Sequence, residues 1–151
     1  MAVVIVPRII VADIDRSTEF YAGVFGFTLD HKTEYTNPQM AEASLVGDDG
    51  TVDLILMQSE LEPVQQRPGF PLVFEVADID AILDKVRSAG LPVLGEPGLW
   101  EHGGHKLTLA LFSDPDGYLI ELVQGGKVPL MPGGEAVHSP HPAPAIHELW
   151  G

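Results

Sequence analysis

A short phrase that occurs twice constrains this chain more than any other feature. VADID stands at residues 11–15 and again at 76–80, an offset of 65. Each copy follows an apolar, strand-like run, IVPRIIV or FPLVFEV, and each precedes a run with helical periodicity. In the first copy the expected helix is capped by Asp15, turns Phe20, Tyr21, Val24 and Phe25 inward, and ends at Gly26. In the second, Asp80 caps, Ile82, Leu83, Val86 and Ala89 face inward, and Gly90 ends the helix. Aspartate before a helix and glycine after it satisfy the backbone groups left open at its ends.

The duplication continues past the helices. GDDG at 47–50 leads into TVDLILMQ as DPDG at 114–117 leads into YLIELVQ, now with an offset of 67. Asp-Gly between strand-like runs marks a hairpin. Each half therefore reads strand, helix, strand, strand, strand. FTLDHKTEY and AEASLVG fill the middle of the first half; a short LPVLGEP and a longer HKLTLALF fill the second. Two copies make a duplicated module rather than a solenoid. The expected domain spans 1–124, with modules at 1–60 and 68–124. Residues 125–151 form a tail holding five prolines and three of the six histidines, of turn or polyproline character.

Bulk properties exclude several classes. With 151 residues, 45% of them hydrophobic, the chain can build one real core. Its net charge of −14 repels nucleic acid and anionic membranes. No apolar run is long enough to span a bilayer, and the N-terminal stretch reads as a strand rather than a signal peptide. The absence of cysteine removes disulfides, thiolate metal sites and cysteine nucleophiles, and suits a cytoplasmic protein. No serine has a nucleophile-elbow setting, and no glycine loop has phosphate-binding spacing.

The segments VADIDRSTEFYAGVFGF, VADIDAILDKVRSAG and FSDPDGYLIEL together resemble the vicinal oxygen chelate superfamily, which includes glyoxalase I, bleomycin resistance proteins and extradiol dioxygenases. The resemblance covers roughly residues 3 to 124. It implies an α+β fold in which two βαβββ modules form a half-open barrel around a cleft, in molecules that often pair as homodimers.

Strand alternation gives a separate reading of the cleft. Leu72, Phe74 and Val76 suit packing under a helix, which turns Pro71, Val73 and Glu75 the other way. Ile120 and Leu122 likewise leave Leu119, Glu121 and Val123 facing the cleft. In the first half Val6, Arg8 and Ile10 face it. Alignment from the hairpin turn adds Val52, Leu54 and Leu56, with Leu54 as the counterpart of Glu121.

By the resemblance, metal-using members draw ligands from the first and last strand of each module. Here those places hold Val6, Leu54, Pro71 and Glu121, so only Glu121 can coordinate. A protein-bound divalent ion ordinarily takes three or more protein ligands at about 2.0–2.2 Å. No metal and no cofactor are therefore expected. EHGGH at 101–105 reads as a loop that contacts ligand rather than metal. Glu121 itself is open to three roles: an ion-pair or ligand contact, for instance with Arg8; plain structure; or acid-base catalysis.

The expected function is metal-independent binding of a small planar or cationic molecule, as in antibiotic resistance by sequestration. The expected ligand-binding residues are Arg8, Val52, Leu54, Val73, Glu75, Trp100, His102 and Glu121. The alternative is a metal-dependent glyoxalase-like lyase or epimerase, or a dioxygenase, using Glu121.

Overall fold

A computed structural model describes residues 2, 6–36, 39–60, 72–102 and 104–126, except the side chain of His102. The chain divides into two compact units, Met1–Gln66 and Arg67–Gly151. The expected tail lies outside the described residues from 127 onward.

The first unit runs β1 (Arg8–Ile10), α1 (Ile14–Phe25), β2 (Thr28–Thr36), β3 (Gln39–Val46) and β4 (Val52–Ser59). The second repeats the order as β5 (Leu72–Glu75), α2 (Ile79–Ser88), β6 (Val93–His102), β7 (His105–Ser113) and β8 (Leu119–Gln124). The sheets are ordered β1-β4-β3-β2 and β5-β8-β7-β6. In each, the first strand pairs parallel with the last, and the other pairs are antiparallel. The fold is α+β, two βαβββ modules.

Both helices are capped two residues before the expected positions. Asp13 and Asp78, the first aspartates of the two VADID copies, are the N-caps. Asp13 Oδ1 accepts from the amides of Asp15 and Arg16, each at 3.0 Å, and Asp78 Oδ1 accepts from Ala81 N at 3.0 Å. Asp15 and Asp80 instead place negative charge in the first turn, where the helix dipole favours it. Gly26 closes α1 in the left-handed region at φ 81°. Ile14, Phe20, Tyr21 and Val24 are buried on α1, and Ile79, Leu83 and Val86 on α2. Ala89, expected inward, is exposed.

A second device also occurs in both units. Gln58, near the end of β4, accepts from Ile14 N at 2.9 Å; Gln124, the end of β8, accepts from Ile79 N at 2.7 Å. Each glutamine satisfies an amide in the first helical turn that has no partner within the helix, and it ties the last strand of its unit to the helix start. The two glutamines are 66 apart, between the 65 of VADID and the 67 of the turns.

The missing residue is found in β4. Val46 faces Val52 and Leu45 faces Leu54, so the register shifts and Asp53 is left over as a bulge. In the second unit Ser113 faces Leu119 and Phe112 faces Ile120 with no shift. A bulge adds one residue to one strand and leaves it unpaired. Turn positions therefore match at an offset of 67 and everything after Asp53 at 66.

Candidate functional site: the Glu121 face

The bulge changes which first-unit residues share a face with Arg8. Arg8 pairs with Ile55, Ile9 with Leu56 and Ile10 with Met57. Leu54 and Leu56 therefore lie on the side of Ile9; they are 1% and 0% exposed and belong to the core. The expectation that Leu54 lines a cleft beside Arg8 is overturned, because a one-residue slip sends every later side chain to the opposite face. The first-unit counterpart of Glu121 is Ile55: Arg8 pairs with Ile55 as Val73 pairs with Glu121. Val52 lies just before the bulge and is half-buried. Arg8 Nε is 3.3 Å from Glu42 Oε1, an ion pair within its own sheet.

The second unit has no bulge before Glu121, and its alternation runs as expected. Val73, Glu121 and Leu111 stand side by side on β5, β8 and β7. Glu75, opposite Val123, is a diagonal neighbour of Glu121 on the same face. Leu72, Ile120 and Leu122 are buried on the other face.

Two apolar clusters flank Glu121 along β8. On one side Leu119 packs with Leu111 and Leu94. On the other Val123 packs with Leu107, Leu109 and Trp100. Glu121 itself is half-buried between them. On β5 beside it, Val73 is 53% exposed and Glu75 is exposed too. Leu119 and Val123, expected to face the cleft, are buried.

Trp100 and His102 lie on β6, not in a loop. That strand runs to His102, which pairs with His105 across the hairpin. Trp100 is anchored by the leucine cluster while staying partly exposed. The His102 side chain lies outside the described residues.

The turn that feeds β8 is pinned from within. Asp114, 2% exposed, accepts from Asp116 N at 2.9 Å and Tyr118 N at 2.8 Å through one carboxylate oxygen. Its own amide donates to Tyr118 O at 3.0 Å, and its carbonyl accepts from Gly117 N at 3.0 Å. These bonds fix where β8 begins, and hence which face Glu121 takes.

The sequence reading missed one feature of the first unit. A cavity of about 760 Å³ is lined by Ile14 and Asp15 of α1, Lys32 and Glu34 of β2, Met40 of β3 and Gln58 of β4, among others. Lys32 Nζ sits 3.0 Å from Asp15 and 3.6 Å from Glu34, and these carboxylates, Asp15 foremost, hold its ammonium above the usual lysine value. These residues come from four separate elements, so no motif announces them.

Paired βαβββ units of this topology define the vicinal oxygen chelate class of folds. The chain belongs to the glyoxalase/bleomycin resistance protein/dioxygenase superfamily, whose family model matches residues 3–122. It is 33% identical over 119 residues to a probable lactoylglutathione lyase of Synechocystis sp., covering 76% of this chain and 88% of the relative. It is 35% identical over 118 residues to a probable lactoylglutathione lyase of Vibrio cholerae, covering 76% and 84%. Among solved structures, the trypanothione-dependent glyoxalase I of Leishmania major superposes with a TM-score of 0.66 at 22% identity, over 83% of this chain and 88% of that one.

Proposed function

We propose that this protein acts on a small carbonyl compound at the Glu121 face, with lyase or isomerase chemistry in which Glu121 moves a proton. The observation that carries this reading is the setting of Glu121. It is a single half-buried carboxylate between two apolar clusters, beside the exposed Val73 of β5, on a strand whose start is locked by Asp114. The names of the relatives support the class of reaction. Apolar walls with few polar groups are the usual construction of a small-molecule site.

In such a reaction Glu121 accepts the proton of a C–H bond beside a carbonyl, and the bonding electrons pass into an enolate. The C–H carbon carries a hydroxyl: its O–H proton passes to the enolate oxygen as the carbon-bound proton returns from Glu121 to the former carbonyl carbon, so a new carbonyl forms at the first carbon, the product is an isomer and no co-reactant is consumed. A carboxylate within hydrogen-bond reach of that proton is the geometry general base catalysis requires. Trp100 offers a flat apolar surface to the same compound, and Glu75 is exposed on β5. As part of this reading the protein is cytoplasmic and a homodimer.

A second reading is sequestration of a planar or cationic compound without turnover. The donor set favours it. The ion that the superfamily's metal-using members hold has no fit here: the ligand places carry Val6, Ile55, Pro71 and Glu121, and no step above runs through an ion.

The test is thioester formation from hemithioacetals of glutathione and 2-oxoaldehydes, followed by ultraviolet absorbance with the full chain. Turnover that Glu121→Gln abolishes supports the lyase reading. No turnover, together with saturable binding of planar amines that Glu121→Gln weakens, favours sequestration.

A further inference from the structure

We infer that the Glu121 face works without a divalent ion, because the strand positions that would supply the other ligands carry side chains with no donor atom. The inference goes beyond the proposed chemistry, which stands or falls on turnover.

Each unit's donors follow from its own strands. The first unit offers Val6, ahead of β1, and Ile55 on β4. The pairing of Arg8 with Ile55, the amide of Ile55 donating to Pro7 O at 3.1 Å, and the Gln58–Ile14 bond all fix that register. Neither side chain has a lone pair to give. Glu42, on that face, is engaged with Arg8. In the second unit, position 71 is proline, leaving Glu121.

Shifting the alignment by one residue does not help. On β4 it reaches Leu54 or Leu56, both buried in the core, and on β5 it reaches Leu72, also buried. Glu75 adds one exposed carboxylate diagonal to Glu121, and two carboxylates fall short of the three ligands a tight site needs. Among the described residues, no group of three or more histidine, aspartate or glutamate side chains is placed to hold an ion.

The experiment measures metal directly. The full chain, purified without a histidine tag, is incubated with zinc, nickel, manganese or ferrous ion, freed of excess, and analysed for metal beside Glu121→Ala and Glu121→Gln. Equal metal content in all three proteins, whether none or a little held elsewhere, is the expected result. One ion per chain that both variants lose overturns the inference.

The register is tested separately by thermal melts. Leu54→Glu buries a charge and is expected to lower Tm far more than Ile55→Glu, whose side chain replaces a half-buried one. The reverse order, or equal losses, overturns the assignment of Ile55 rather than Leu54 to the face of Arg8. Neither readout involves turnover. A protein that binds no metal yet isomerises hemithioacetals upholds both proposals, and one that binds no metal and turns nothing over upholds only this one.

Discussion

Replacing Asp114 with alanine should destabilise the second unit and disturb the strand that carries Glu121. The Asp114 side chain is 2% exposed and accepts two backbone N–H bonds, at 2.9 and 2.8 Å. A bond to a charged group contributes roughly 1.5–3 kcal/mol, and a buried donor left without a partner costs about 1–3 kcal/mol. The two bonds share one acceptor, so their losses do not simply add. About 3 kcal/mol is the expected cost of Asp114→Ala. For a chain of this size that corresponds to a fall in Tm of about 6–12 °C. Asp114→Asn keeps an oxygen in the same place and should lose less than half as much. Urea melts followed by circular dichroism read both variants. A loss below about 0.5 kcal/mol for Asp114→Ala, typical of an indifferent surface site, would refute the claim that the carboxylate holds the turn.

Three other outcomes are expected. Gln124→Ala and Gln58→Ala should each cost about 1–2 kcal/mol, because each strips the acceptor from a helix-start amide; equal losses in denaturant melts would mark the two as one repeated device. Leu83→Ala, at a fully buried position of α2, should cost about 2–5 kcal/mol in the same melts. Lys32 titrates above its ordinary 10.5, chiefly through its hydrogen bond to Asp15. Its folded value exceeds its unfolded one, so its contribution is complete at neutral pH and lost as pH rises through the raised value. The stability difference between wild type and Lys32→Met should therefore shrink only in strongly alkaline solution.

The duplicated module was legible because its markers are physical necessities: a helix cap, a helix stop, a hairpin turn. The caps were misplaced by two residues because either aspartate of VADID can serve. Asp13 takes the role because its extended backbone, φ −142°, lets the side chain fold back over the amides that follow. The face of β4 was misread because the alignment was drawn from the turn. Drawn from Gln58 and Gln124 instead, it gives Ile55 directly, and that ruler was present in TVDLILMQ and YLIELVQ. β6 was read as short because Pro92, Gly95, Pro97 and Gly98 look like breakers. It is an edge strand with register shifts around Gly95 and Gly98, and at an edge a proline need not donate to a neighbour. On the site, Val73, Glu75 and Glu121 could be placed on one face by alternation, whereas Trp100 takes its face from the pairing of β6 with β7, which the sequence does not show. No pattern in the sequence signals that the leucines around Glu121 are buried.

The bulge at Asp53 also bears on how this chain can change in length. In the first unit an extra residue after the turn is absorbed within one position, and the strand beyond it keeps its faces. The second unit has no such slack: the Asp114 turn runs straight into β8, and Glu121 follows in unbroken alternation. A single codon inserted between Thr51 and Leu54 joins a place that already holds a spare residue. The same codon inserted between Tyr118 and Glu121 would drive the carboxylate into the core. The two halves of one duplicated design therefore differ in how freely their hairpins can drift, and the half that carries the carboxylate is the one held to a fixed length.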